Sequence, residues 1–300
     1  MIPQFATKEE LYKFLKANKS LLINEKKMAI KYADAVSYVA NAGNDAKESV
    51  EKEAGVIQNV DASKIVVRAV INTTKILDSH GDVHIDGIWK KSLSENKSIY
   101  HLQEHMMKFD KVITDEVNAY TKSMTWKSLG FDYDGNTQAL VFDSTIDKAR
   151  NEFMYDQYTK GYVKNHSVGM RYVKMDMAIN SESKWYDEEK AVWDKYINTI
   201  VNKDVAEEQG YFWVVTEAKV IEGSAVLVGS NRATPTMSIT EAGKSTSEDI
   251  NEPPAGTQKD IDKIINNIET DDNIEVQIIG AFHTGIKNIN ESCYINSFLQ

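Results

Sequence analysis

Cysteine is almost missing from this 300-residue chain: Cys293 stands alone. One thiol cannot close an internal disulfide, so the chain fits a reducing compartment. No apolar run reaches the roughly 20 residues that a helix needs to cross a bilayer. The opening MIPQFATKEE lacks the basic stretch and apolar run of a secretory signal. Positive charge is in deficit, with 35 basic against 45 acidic residues and a net charge of −10. That deficit disfavours a protein whose task is to grip phosphate backbones. The expectation is a cytosolic protein, or one working inside a particle assembled there, with protein partners, no nucleic acid and no membrane. Apolar residues make up 42% of the chain, enough for a sizeable core.

The chain divides by texture. Residues 1–56 read as a helical N-terminal extension: Thr7 and Glu10 have capping-box spacing, Leu11, Phe14 and Leu15 follow at helical intervals, and a second helix is expected from about Leu21 to Val39. The acidic stretch Asn44–Glu53 reads as linker or solvated helix. A core is expected over 57–236. Ile65–Ile71 is β-rich and reads as a buried strand. Further strands are expected at Ser98–Met106, Val112–Val117, Ala139–Ser144, Ser167–Met175, Phe212–Val220 and Ser224–Gly229. Helices are expected at Gly87–Leu93 and Ala149–Lys160, with Gly161 closing the latter. A charged helical insertion covers 182–208. Residues 237–258, with Pro253-Pro254, read as a flexible linker, and 259–300 as a tail with a short helix at Lys259–Ile268 and a strand at Ile274–Phe282. The fold class is α+β, mostly antiparallel β with helices around it.

Four segments carry chemistry-bearing residues, and each has a bland reading. Asp78-Ser-His-Gly-Asp82, followed by Trp89, could be an ordinary polar turn before a helix. Tyr100-His101-Leu102-Gln103-Glu104-His105 holds two histidines, which strand alternation would place on one face with Gln103; a histidine there could serve as general base. The same segment matches H-x-x-E-H, an inverted zinc-peptidase motif, which requires a helix to bring His101, Glu104 and His105 together. His166-Ser167-Val168-Gly169 offers a serine that becomes nucleophilic only beside a base, and Gly169 would let a substrate backbone approach. It is not the G-x-S-x-G elbow. In Glu217–Ala233, Glu222 at an apolar strand edge could orient a catalytic histidine, or be a solvated strand-end charge.

Taken in order, these segments resemble the prohead maturation protease family of tailed bacteriophages. The matching residues are Asp78, Gly81, Asp82 and Trp89, then His105, then Ser167-Val168-Gly169, and last Glu222, Ser224, Val226 and Asn231. The likeness spans about Val66 to Ala233. The family's proline before the final asparagine is replaced by Gly229-Ser230, and the 182–208 insertion widens the spacing. The resemblance implies an assemblin-like, β-barrel-like core and a serine endopeptidase with no cofactor. Ser167 would be the nucleophile and His105 the base. Glu222 would be the third member, with Glu217 a weaker choice and the oxyanion donors sought near Gly169 or Arg171. It implies as substrates the phage scaffold and major capsid proteins, self-cleavage, a homo-oligomer, and action inside the assembling prohead in the host cytoplasm. Two competing readings are an inactive protease-fold protein that binds capsid or scaffold, and the zinc peptidase.

Overall fold

A computed structural model describes residues 2–29, 63–95 and 98–242, all within one compact unit, Met1–Lys244. The expected features at Asn44–Glu53, Lys259–Ile268 and Ile274–Phe282 lie outside the described residues, as do residues 30–39 of the span expected as the second helix, which ends at Met28.

Two helices begin the chain, α1 (Lys8–Ala17) and α2 (Lys19–Met28). The capping box forms as the sequence predicts: Glu10 N–H donates to Thr7 Oγ1 at 3.2 Å and Thr7 N–H to Glu10 Oε2 at 3.3 Å. The helices do not stand apart from the core. Tyr12, Leu15 and Leu22 are buried in the main apolar cluster. Lys16 and Lys19 pair with the wholly buried Glu189 at 2.6 and 2.5 Å, and Lys26 pairs with the buried Asp82. Burial alone would raise the Glu189 carboxyl, but the two ammoniums hold it below its ordinary value.

The β elements form two sheets. The first has the order β5–β6–β1–β9, from β1 (Lys64–Thr73), β5 (Val117–Thr125), β6 (Asn136–Asp147) and β9 (Thr236–Glu241). All its pairings are antiparallel. Ile65, Val67, Ala69 and Ile71 alternate along β1 and are fully buried, as expected for a strand with one face on the core. The second sheet is mixed and is organised by β8 (Tyr211–Val226). β7 (Asn165–Ile179) runs antiparallel along its whole length. The short strands β2 (Asp82–His84) and β3 (Tyr100–Gln103) run parallel to β8 and take its remaining edge one after the other. β4 (Val112–Thr114) closes beyond β3. Gly223 shows how closely the sheets approach: a Cβ there would lie 3.1 Å from Ile71 Cγ2 of β1 and collide with the Phe142 ring of β6.

Helices α3 (Lys90–Glu95) and α4 (Glu152–Thr159) occupy the two expected positions. Gly161 follows α4 at φ 70°, the left-handed conformation that ends a helix. The charged insertion is helical, as α5 (Asp187–Tyr196) and α6 (Lys203–Gln209). It builds a small core of its own in which Trp193, Ile197 and Ile200 meet Phe212 and Val214 of β8.

The fold is therefore α+β, with antiparallel and mixed sheets; no closed barrel is present among the described residues. Three expectations need correction. The two strands expected between Phe212 and Gly229 are one strand of 16 residues, β8. The linker expected over 237–258 does not begin there, because Thr236–Glu241 is β9, which pairs with Ile65–Ala69 of β1. The strand expected at Val112–Val117 is divided: Val112–Thr114 is β4 of the second sheet, and Val117 opens β5, a nine-residue strand of the first.

Candidate active site

β8 gathers the site. Opposed residues of an antiparallel pair share a face, as do residues two apart on one strand. Ser167 lies opposite Ser224, and Gly169 opposite Glu222, so these four share one face of the β7–β8 pair. The other face, at Gly223, meets the first sheet. Directly opposed Cβ atoms lie about 5 Å apart, which puts the Ser167 hydroxyl next to the Glu222–Ser224 pair. A Cβ on Gly169 would lie 2.7 Å from Glu222 Cδ and 2.9 Å from Cγ, and closer still to Oε1. Gly169 thus provides room for the Glu222 carboxylate, a role that sequence reasoning assigned to a substrate backbone.

His105 reaches this face from the neighbouring strand. β3 ends at Gln103, beside Ala225 of β8. Glu104 and His105 then take left-handed conformations, φ 53° and 58°. Non-glycine residues pay on the order of 1–3 kcal/mol each for such geometry, and it recurs at functional sites. Here three hydrogen bonds hold the turn. Glu104 N–H donates to the Ala225 carbonyl at 3.0 Å, His105 N–H donates to Ser224 Oγ at 3.1 Å, and His105 Nδ1 meets Glu222 Oε1 at 2.6 Å.

Donor and acceptor roles follow from this arrangement. Ser224 Oγ donates to Glu222 Oε2 at 2.6 Å, so both carboxylate oxygens accept. Nδ1 of His105 must then carry the proton, and in the neutral ring Nε2 keeps the lone pair. The Glu222 side chain is 1% exposed and that of His105 8%, so the pair works in a low-dielectric setting where its attraction is strong. Ser167 is 5% exposed, and none of the hydrogen bonds among the described residues engages its hydroxyl.

The acidic turn joins the same neighbourhood. Asp78 Oδ1 accepts from the backbone N–H groups of His80 and Asp82 at 2.8 and 2.9 Å. Tyr172 O–H donates to Asp82 Oδ2 at 2.8 Å and meets His84 Nε2 at 3.1 Å. His84 Nδ1 meets the Asn72 amide at 3.2 Å, and Asn72 Oδ1 accepts from Asn231 at 2.6 Å. Burial and the neighbouring Asp82 push the Asp78 carboxyl up to about 7. A narrow cleft is bounded by Asp78, His84, Ser167, Val168 and Asn231, so residues from the first, third and fourth sequence segments meet at one place.

Several expectations are corrected by the geometry. His101 does not share a face with His105. It sits opposite Gly223 and points inward, its ring 6.4 Å from that of Phe142. The zinc arrangement fails for the same reason: the H-x-x-E-H segment is a strand end and a left-handed turn, not a helix. Both His101 ring nitrogens are taken, by Ser144 and Tyr158, and Glu104 is exposed. Among the described residues no cluster of histidine, cysteine and carboxylate side chains has metal-binding geometry. Glu217 is occupied elsewhere, with Lys174 at 2.6 Å and Lys91 at 3.8 Å, which hold it below its ordinary value. Arg171 is exposed and lies opposite Lys219.

The backbone N–H groups near Gly169, the expected oxyanion donors, take their directions from the pairing of β7. His166 N–H donates away from β8, to Thr234 O at 3.1 Å. Alternate residues of an antiparallel strand address opposite sides. The N–H groups of Ser167 and Gly169 therefore address β8, and that of Val168 addresses the open edge. Ser224 stood in the sequence only as a motif residue; its role, closing the Glu222 carboxylate and holding the His105 backbone, was not foreseen. Sequence reasoning also missed the chain of buried polar groups behind Ser167.

Comparison of the chain with protein-family models, with curated proteins and with solved structures finds no match.

Proposed function

We propose that the protein is a serine endopeptidase in which Ser167 is the nucleophile, His105 the general base and Glu222 the residue that orients it. The observation that supports this best is the His105–Glu222 contact of 2.6 Å on the strand face that also carries Ser167. A carboxylate that fixes Nδ1–H leaves Nε2 basic, which is the arrangement a serine hydroxyl needs to become nucleophilic.

In this reading Ser167 Oγ attacks the scissile carbonyl carbon as its proton passes to His105 Nε2. The edge-directed N–H of Val168 donates to the developing oxyanion. Collapse breaks the C–N bond, and the imidazolium returns its proton to the leaving amine. Water then attacks the acyl ester with its proton going to Nε2. The ester C–O bond breaks, Ser167 recovers its proton, and the new carboxyl group leaves.

The order of the motifs supports the finer reading of an assemblin-like core and a prohead maturation protease. Its substrates would be the scaffold and major capsid proteins and its own chain, acting within the assembling head. The low exposure of Ser167 favours, as a second reading, a non-hydrolytic protein of the same fold that binds capsid or scaffold.

Co-expression with the capsid and scaffold proteins of the same phage, followed by mass spectrometry of their termini, separates these. Processing by the wild type that disappears in Ser167→Ala supports the endopeptidase. Equal processing by both rejects Ser167 as nucleophile. Processing by neither favours the binding protein.

A further inference from the structure

Behind the catalytic face runs a buried hydrogen-bonded chain that the reaction does not use. Ser144 Oγ of β6 meets His101 Nδ1 at 2.9 Å. His101 Nε2 and His166 Nε2 each meet Tyr158 Oη of α4 at 3.0 Å. His166 Nδ1 meets Thr234 O at 3.2 Å, the same carbonyl that accepts the His166 backbone N–H at 3.1 Å. His101, Ser144, Tyr158 and His166 are all 0% exposed.

One proton ordering satisfies every member. A carbonyl only accepts, so His166 Nδ1 donates and its Nε2 accepts from Tyr158 O–H. The Tyr158 oxygen then accepts from His101 Nε2–H, and His101 Nδ1 accepts from Ser144 O–H. The ordering requires both rings and the phenol to be neutral. Burial favours this, lowering His166 to about 4, taking His101 well below its ordinary value and Tyr158 well above its own.

The placement gives the chain its meaning. His166 immediately precedes Ser167 on β7. His101 lies on β3, the strand whose left-handed end delivers His105. The nucleophile and the base come from different strands, separated by β8, and Tyr158 is the atom bridge that ties those strands together from behind. We propose that His101, Tyr158 and His166 are positioning residues, which hold the Ser167 and His105 strands in catalytic register through the Tyr158 hydroxyl. This rests on the endopeptidase reading above.

Tyr158→Phe keeps the ring and deletes only the bridging hydroxyl. The test is the rate at which a fluorophosphonate probe labels Ser167 in the full chain, normalised to the folded fraction seen by circular dichroism. His166→Asn, which can keep the bond to Thr234 O but loses the one to Tyr158, is measured beside it. Misplacement by about 1 Å costs up to roughly 10²-fold in rate, so both folded variants are expected to label between tenfold and 10²-fold more slowly, with probe affinity little changed. A merely structural chain would lower the melting temperature and leave the normalised labelling rate alone; that result in Tyr158→Phe overturns the inference. Should Tyr158→Phe fold too poorly to measure, an unchanged rate in His166→Asn overturns it equally. If wild type itself does not label, the endopeptidase reading fails first and this inference with it.

Discussion

Replacing Gly169 with alanine adds one methyl group at the most crowded point of the site. Gly169 has no left-handed φ, so the backbone accepts alanine, and the consequence is set by space alone. The new Cβ would stand 2.7 Å from Glu222 Cδ. Ordinary contact begins near 3.4 Å, so the carboxylate must retreat by about 0.7 Å at that atom, and by more at Oε1. It has nowhere neutral to go: Oε1 is held by His105, Oε2 by Ser224, and the side chain is enclosed. Either the 2.6 Å bond to Nδ1 lengthens past hydrogen-bonding distance, or β7 moves off β8 and takes Ser167 with it. Overpacking of this kind costs about 1–3 kcal/mol of stability. A displacement approaching 1 Å in a catalytic constellation costs about 10²-fold in rate. Steady-state cleavage of a peptide taken from a mapped processing site reads both terms, with kcat expected to fall about 10²-fold and KM to change little. A folded Gly169→Ala enzyme with wild-type kcat would refute the reasoning, because it would mean that the Glu222–His105 bond is dispensable.

Three further outcomes follow from the same structure. Glu222→Gln presents an amide to Nδ1–H and to Ser224 O–H, which favours the wrong imidazole tautomer; kcat should fall by about 10³-fold or more, roughly 4 kcal/mol of transition-state stabilisation, in a protein that still folds. His166 is held near 4 in the folded state against about 6.5 when unfolded. Its neutral form therefore stabilises the fold fully above pH 6.5, and the contribution fades as pH falls towards 4, at up to about 1.4 kcal/mol per pH unit. Asp78, raised to about 7, acts in the opposite sense over the same range, so the loss is read in urea titrations from the difference between wild type and His166→Asn, which should shrink between pH 7.5 and pH 5.5. A difference that does not change with pH would contradict it. Lys26→Met strands the buried Asp82 with Tyr172 and Asp78 and without its cation, and should cost on the order of 3 kcal/mol in thermal or chemical denaturation.

What could be read from the sequence was what local chemistry enforces. Thr7 and Glu10 announce a helix start because the two side chains cap it themselves. Ile65–Ile71 announces a strand because alternate residues must all be buried. The meeting of His105, Ser167 and Glu222 at one strand face was legible through the order of the motifs, although the three lie far apart in the chain. Non-local geometry was hidden. β5 is largely polar and exposed, so its pairing with β6 leaves little periodic trace. β9 has linker-like composition and is ordered by its partner, β1. Gly223 looked like a break between two strands, whereas the approach of Ile71 and Phe142 requires glycine inside one. His101 and His105 looked equivalent in sequence, and only the left-handed turn at Glu104 sends one inward to the buried hydrogen-bonded chain and the other outward to Glu222.

The most direct test is to treat the full-length protein with a fluorophosphonate probe and locate the adduct by tandem mass spectrometry, in wild type and in His105→Ala. The expected result is a single adduct on Ser167, absent from neighbouring Ser224 and at least about 10²-fold slower to form without His105. An adduct on Ser224, or labelling of Ser167 that is indifferent to His105, would contradict the assignment of nucleophile and base.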